Sequence, residues 1–298
     1  MEKIKILVPT DFSECATNAL NFALGLADRL NAELIILHSI IYNDRAFVNS
    51  KSKEIENTKL FNRAKENLDN TLQYARNKNS TISIKEVLDG GTPESSLEII
   101  LHDEQIDYVV MGTEGASGLK AAVFGSFTSN VLSISPCPVF TIPNASQFTK
   151  IENIVCATEM DVSENKALIE SFDFAKKFNA TITYFNVDAD KNEQEILLNQ
   201  FQKRVSYITD YPSIRYSLVE SNDIIKAIDT YVRENNPDLI ITLGKERDFF
   251  DQLFGKKVTK QLCMHTTIPL LSYPSYHSIK ESEIQELLNS YQNKKNSL

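Results

Sequence analysis

Short apolar runs rich in β-branched residues alternate with longer amphipathic stretches along the first half of the chain. The runs at 4–9, 33–40, 81–87, 107–111 and 138–142 predict strands. Leu34-Ile35-Ile36-Leu37 is apolar without interruption, which suits a strand covered on both faces of a parallel sheet. Helical periodicity fills about 13–30, 52–78, 92–104 and 126–134. Ser13 and Thr92 stand where N-caps belong, and Pro93 takes the first helical position. Strand–helix alternation at this spacing predicts a doubly wound α/β domain with right-handed crossovers. Ligands in such sheets bind beyond the carboxyl ends of the strands, where the strand order reverses.

The second half repeats the pattern. Lys5-Ile-Leu-Val-Pro-Thr-Asp11 matches Asn153-Ile-Val-Cys-Ala-Thr-Glu159 at an offset of 148, and Asn31–His38 matches Asn179–Asn186 in the same register. Asp107–Gly112 answers Asp238–Gly244, and Pro138–Pro143 answers Pro269–Pro274 at an offset of 131. The chain therefore reads as two versions of one domain, 1–146 and 147–276, followed by a tail, 277–298. In that tail Ile284, Leu287, Leu288 and Tyr291 form one helical stripe, which predicts an amphipathic terminal helix.

Length and charge agree with this division. At roughly 150 residues per domain, 298 residues suggest two domains. A net charge of −9 disfavours nonspecific nucleic-acid or anionic-membrane binding. No apolar run approaches the roughly 20 residues that span a bilayer, and Met1–Ile6 runs straight into the first strand without a leader pattern. Four cysteines, at 15, 137, 156 and 263, are widely separated and show no CxxC pair. A cytoplasmic location is expected from such thiols.

The most informative stretch leaves the fourth strand as Met111-Gly112-Thr113-Glu114-Gly115-Ala116-Ser117-Gly118 and continues to Phe124-Gly125-Ser126-Phe127. Gly112 and Gly115 permit close backbone approach to a ligand, successive loop N–H groups form anion nests, and the helix opening at Gly125-Ser126 favours negative charge. No Gly-Lys-Ser/Thr follows, so this is not a Walker A loop. A dinucleotide fingerprint would follow the first strand, where Pro9-Thr10-Asp11-Phe12-Ser13 stands instead.

At these residues the chain resembles the universal stress protein family. Its ATP-binding members carry G-x-x-G, nine residues, then G-S/T, which Gly112-x-x-Gly115, 116–124 and Gly125-Ser126 reproduce. Asp11 at the end of the first strand, Gly91-Thr92-Pro93 at the start of the third helix and the Pro138-Val139 strand extend the likeness. As a tandem pair, the resemblance covers nearly the whole chain up to 276. It implies two open parallel sheets of the adenine nucleotide alpha hydrolase type, each with strand order 3-2-1-4-5. It implies that Asp11 holds the adenine edge, with Pro9 and Thr10 shaping that wall. Ser39 stands where the family usually has an apolar residue against adenine. Met111 and Gly112 would line the ribose, and Gly115, Gly125, Ser126 and Phe127 would surround the phosphates. Magnesium is compatible with those phosphates, although no dedicated carboxylate cage is evident for it.

The second copy departs from the motif. Arg247 replaces Gly115, the loop to Gly255 is two residues shorter, Lys256 replaces the helix-opening serine, and Glu159 replaces Asp11. Loss of ATP binding in copy two is the expectation, with Lys245, Arg247, Lys256 and Lys257 reading either as anion-attracting groups or as a solvated loop. The histidines at 38, 102, 265 and 277 have no metal-ligand spacing. His38 reads as a hydrogen-bonded core residue and Cys15 as a packing residue. No Gly-x-Ser-x-Gly elbow marks a nucleophile, and no arginine finger or water-positioning pair points to fast hydrolysis.

Three functions fit: a nucleotide-dependent regulatory or stress-response protein with one ATP site, a nucleotide-independent scaffold, and a weak ATPase. In the first, the 113–124 loop is the expected moving part. The resemblance also implies that the fifth strands, Val139–Ile142 and Leu270–Tyr273, pair within one chain. A homodimer and a protein partner are further expectations.

Overall fold

The computed structural model describes residues 3–42, 50–113, 126–144, 146–189, 191–243, 262 and 266–275. The chain divides into two units, Met1–Thr149 and Lys150–Leu298. The tail stripe at 284–291, Cys263, His265 and His277 lie outside the described residues.

In the first unit β1 (Lys5–Pro9), α1 (Glu14–Leu30), β2 (Glu33–Ile40), α2 (Ser50–Lys78) and β3 (Ser83–Gly90) run one way across the sheet. The chain then returns through α3 (Pro93–Asp103) to β4 (Tyr108–Gly112), α4 (Ser126–Ile134) and β5 (Val139–Ile142). The strands are parallel and ordered β3-β2-β1-β4-β5. The order reverses between β1 and β4, where Ile6 lies beside Tyr108 and Leu7 beside Val109.

The apolar runs form this sheet because both of its faces are covered. Ile6, Leu7, Val8 and Leu34–Leu37 are almost wholly buried, α1 packs with Ala19, Ala23 and Ala27 inward, and Leu97, Leu101 and Val131 of α3 and α4 belong to the core with Leu7 and Val109. Helix boundaries follow the caps. The Ser13 hydroxyl accepts from Ala16 N–H at 3.1 Å, and the Thr92 hydroxyl accepts from Ser95 N–H at 3.2 Å. Asn31 ends α1 in a left-handed conformation, φ 51°.

One strand differs from its expected bounds by more than a single residue. The apolar pattern places β3 at 81–87, whereas the ladder runs from Ser83 to Gly90, with Leu88, Asp89 and Gly90 beside His38, Ser39 and Ile40. β3 ends the sheet and is largely exposed, so backbone pairing rather than an apolar face sets its limits.

In the second unit β6 (Asn153–Ala157) leads through a 3-10 turn (Val162–Glu164) into α5 (Asn165–Phe178). β7 (Thr181–Asp188), α6 (Lys191–Ile208), β8 (Ile214–Glu220), α7 (Ile224–Asn235), β9 (Leu239–Thr242) and β10 (Leu270–Ser272) follow. The order is β8-β7-β6-β9-β10, again all parallel, so both units show the 3-2-1-4-5 arrangement. Asn179 closes α5 at φ 54°, as Asn31 closes α1.

Candidate functional site

The reversal between β1 and β4 brings three chain segments of the first unit together. Pro9 and Thr10 leave β1, Met111 and Gly112 end β4, and α4 begins at Ser126. The Thr128 hydroxyl donates to the Gly112 carbonyl at 3.1 Å, tying the first turn of α4 to the end of β4. That first turn carries no acidic residue to compete with an anion at the helix amino end. Ser126 is exposed, and Phe127 packs in part against the core. Gly115 and Gly125 lie outside the described residues, as does 114–124 of the loop expected to move.

The turn after β1 is tightly specified. Thr10 N–H donates to Leu37 O at 2.8 Å, and the Thr10 carbonyl accepts from His38 Nδ1 at 2.7 Å. Phe12 N–H donates to the Thr10 hydroxyl at 3.1 Å, and Ser13 N–H donates to Asp11 Oδ1 at 3.0 Å. Asp11 is exposed between these fixed points. Ser39 is half-buried near the end of β2, beside Asp89.

Two expected ribose-lining residues have packing roles. The Met111 side chain is 3% exposed and belongs to the core with Leu37, Leu97 and Val131, leaving its backbone as the part available to a ligand. Gly112 faces α1: a Cβ there would overlap Cys15 Sγ and lie 3.1 Å from the Cys15 carbonyl oxygen. Cys15 is buried and packs as expected. His38 is half-buried and hydrogen-bonded, also as expected, but its partner is the site turn itself.

The second unit builds the same turn and fills it. Thr158 N–H donates to Phe185 O at 3.0 Å, Met160 N–H to the Thr158 hydroxyl at 2.8 Å, and Asn186 Nδ2 to the Thr158 carbonyl at 2.9 Å. At the position of Ala16, 148 residues on, stands Glu164. Its carboxylate accepts from the Thr158 hydroxyl at 2.6 Å and from Glu159 N–H at 3.1 Å, and the residue is only 2% exposed. Arg204 reaches in from α6 and donates from Nη2 to the Met160 carbonyl at 2.8 Å. Burial pulls the Arg204 guanidinium below its ordinary pKa, and the charges of Glu164 and Asp161 oppose that shift. Of the expected departures in this unit, Arg247, the shorter loop and Lys256 lie outside the described residues, as do Lys245 and Lys257, whereas Glu159 is described. The signal for the filled turn was the exchange of Ala16 for Glu164 in an otherwise matching register.

Among the described residues, no three His, Cys, Asp or Glu side chains cluster as a metal site, and no helix is long and apolar enough to cross a membrane.

The sequence model of the universal stress protein family matches residues 4–143. A universal stress protein of Methanocaldococcus jannaschii is 30% identical over 152 residues, covering 46% of this chain and 93% of its own length. One from Bacillus subtilis is 29% identical over 153 residues, covering 46% of this chain and 97% of its own. Among solved structures, a universal stress protein from Archaeoglobus fulgidus superposes with a TM-score of 0.70 at 18% identity, covering 92% of this chain and all of that one.

Proposed function

Because the chain belongs to the universal stress protein family, we propose that it is an ATP-binding regulatory protein of the stress response with one nucleotide site, in its first unit. The observation that carries this reading is the end of β4, where Gly112 is tied to the amino end of α4 by the Thr128 hydrogen bond and lies against Cys15, just past the Thr10–Asp11 turn. On this reading Asp11 with Pro9 and Thr10 meets adenine at one side, and Ser39 lies near it. The backbone of Met111 and Gly112 follows the ribose. Gly115, Gly125, Ser126 and Phe127 surround the phosphates. Helix-end N–H groups and the helix dipole supply the phosphate attraction, and bound magnesium would offset phosphate charge.

The second unit is a structural partner in this account. Its corresponding hydroxyl and N–H donors already serve Glu164, so no ligand acceptor is needed there. ATP acts as a signal when the two conformations of a loop differ in affinity for it, and the 113–124 segment is the proposed loop.

Calorimetric titration of the full chain with ATP and magnesium tests the site. Gly115→Arg is expected to abolish the heat, because a long side chain enters the phosphate path, while Arg247→Gly leaves it unchanged. Equal losses from both substitutions contradict the one-site account. A scaffold that needs no nucleotide is the second reading, favoured by the exposed apolar residues Ile55, Leu60 and Phe61 on α2. It predicts no heat from any variant.

A further inference from the structure

His38 lies on β2, next to Ser39, and none of the roles given to the site so far requires it. A carbonyl oxygen only accepts hydrogen bonds, so the 2.7 Å contact to the Thr10 carbonyl places a proton on His38 Nδ1. Thr10 is thereby fixed from both sides by consecutive residues of β2, its N–H on Leu37 O and its carbonyl on His38. The imidazole also touches the next fixed point. Its ring centroid lies 4.2 Å from that of Phe12, with the planes inclined by 38°. Phe12 has φ 64°, a left-handed backbone that costs a non-glycine residue energy unless its surroundings hold it. One side chain therefore touches both neighbours of Asp11.

The second unit repeats the device with different residues. Asn186 takes the place of His38 and donates to the Thr158 carbonyl, and Met160 takes the place of Phe12 at φ 61°. There the latch is reinforced. Gln194 Nε2 donates to Asn186 Oδ1 at 3.1 Å, and Glu164 binds the turn from the opposite side. In the first unit Ala16 stands at the Glu164 position, so the carboxylate support is missing. From β2, the turn there is held by the Leu37 carbonyl and by His38, which of the two alone reaches both Thr10 and the Phe12 ring.

We propose that His38 is a positioning residue for the nucleotide site: it holds the Thr10 carbonyl and the Phe12 ring so that the Asp11 turn is ordered before ligand arrives. This rests on the ATP reading of that site. Removing the latch leaves the sheet intact but makes the ligand order the turn, a cost that appears in affinity. Asparagine, with a donor and the precedent of Asn186, replaces the hydrogen bond; leucine, with similar bulk and no donor, does not.

The test compares the full-length wild type with His38→Leu and His38→Asn by ATP titration, thermal melting and amide hydrogen exchange without ligand. His38→Leu is expected to weaken ATP binding about tenfold, the upper range for one net hydrogen bond, with a melting temperature within about 2 °C of wild type. His38→Asn is expected to stay within about twofold of wild type in affinity. Exchange at the N–H groups of Phe12 and Ser13 is expected to quicken in His38→Leu and not in His38→Asn. Unchanged affinity and unchanged exchange in His38→Leu overturn the proposal, as does an equal loss in both variants. A wild type that binds no ATP removes the nucleotide reading instead, and the exchange comparison then decides the latch by itself.

Discussion

Cys15 occupies the space in front of Gly112, so the end of β4 and the first turn of α1 touch without a side chain at 112. An added Cβ would overlap Cys15 Sγ and press on the Cys15 carbonyl oxygen at 3.1 Å and its carbon at 3.2 Å. The glycine that opens the Gly112-x-x-Gly115 motif is thus required for packing of the helix on the sheet, before any ligand is considered.

Gly112→Ala is therefore expected to destabilise the chain by about 1–3 kcal/mol, the usual range for overpacking. Adding Cys15→Ala should recover part of that loss, since Sγ is removed while the backbone contact remains. Denaturant melts of the single and double variants measure the coupling. Simple additivity would show that the two residues do not oppose each other.

Glu164 has the opposite character, a side chain that fills its unit rather than a space that must stay open. Glu164→Ala leaves the Thr158 hydroxyl and Glu159 N–H without their acceptor and removes the one of the two negative charges that acts more strongly on Arg204. A loss of about 1–3 kcal/mol is expected, the cost of leaving buried donors without an acceptor. Glu164→Gln, which keeps one acceptor, should lose less. Urea unfolding followed by circular dichroism provides the measurement, with ATP affinity as a control that should not move. A loss of ATP binding in Glu164→Ala would place the site in the wrong unit.

Much of the architecture was legible from residue pattern alone. The uninterrupted Leu34–Leu37 run forms a strand buried on both faces, and Ser13 and Thr92 cap the helices their positions predict. The pattern ends β3 at 87, three residues early, because Leu88, Asp89 and Gly90 keep pairing with β2 at a sheet edge where no fully buried face is required. In the site, the positions of Asp11, Ser39 and Met111 at or near strand ends follow from strand periodicity. The left-handed Phe12 does not, since a phenylalanine gives no hint of a positive φ. The exchange of Ala16 for Glu164 is visible in the sequence, but the approach of Arg204 to the same turn is not, because the two residues lie 40 positions apart and Arg204 arrives on α6.

Alkaline conditions should weaken the second unit. Burial pushes the Cys156 thiol and the Tyr184 phenol well above their ordinary pKa values, and raises Tyr216 as well. An unfolded chain ionises these groups near about pH 8.5 and 10, while the folded chain keeps them protonated. Their contribution to stability is complete below about pH 8.5 and declines as pH rises toward the folded-state values. Urea midpoints are expected to fall between about pH 8 and 10, with a shallower fall in Cys156→Val. A flat profile would mean that these groups titrate normally in the folded chain.

One nucleotide site in a chain of two related units makes nucleotide content the deciding measurement. The purified full-length chain is denatured, and the released small molecules are separated against adenine nucleotide standards. The account predicts no more than one adenine nucleotide per chain, approaching one after loading with ATP and magnesium, and none retained by Gly115→Arg. Two per chain, or one that survives Gly115→Arg, would contradict it.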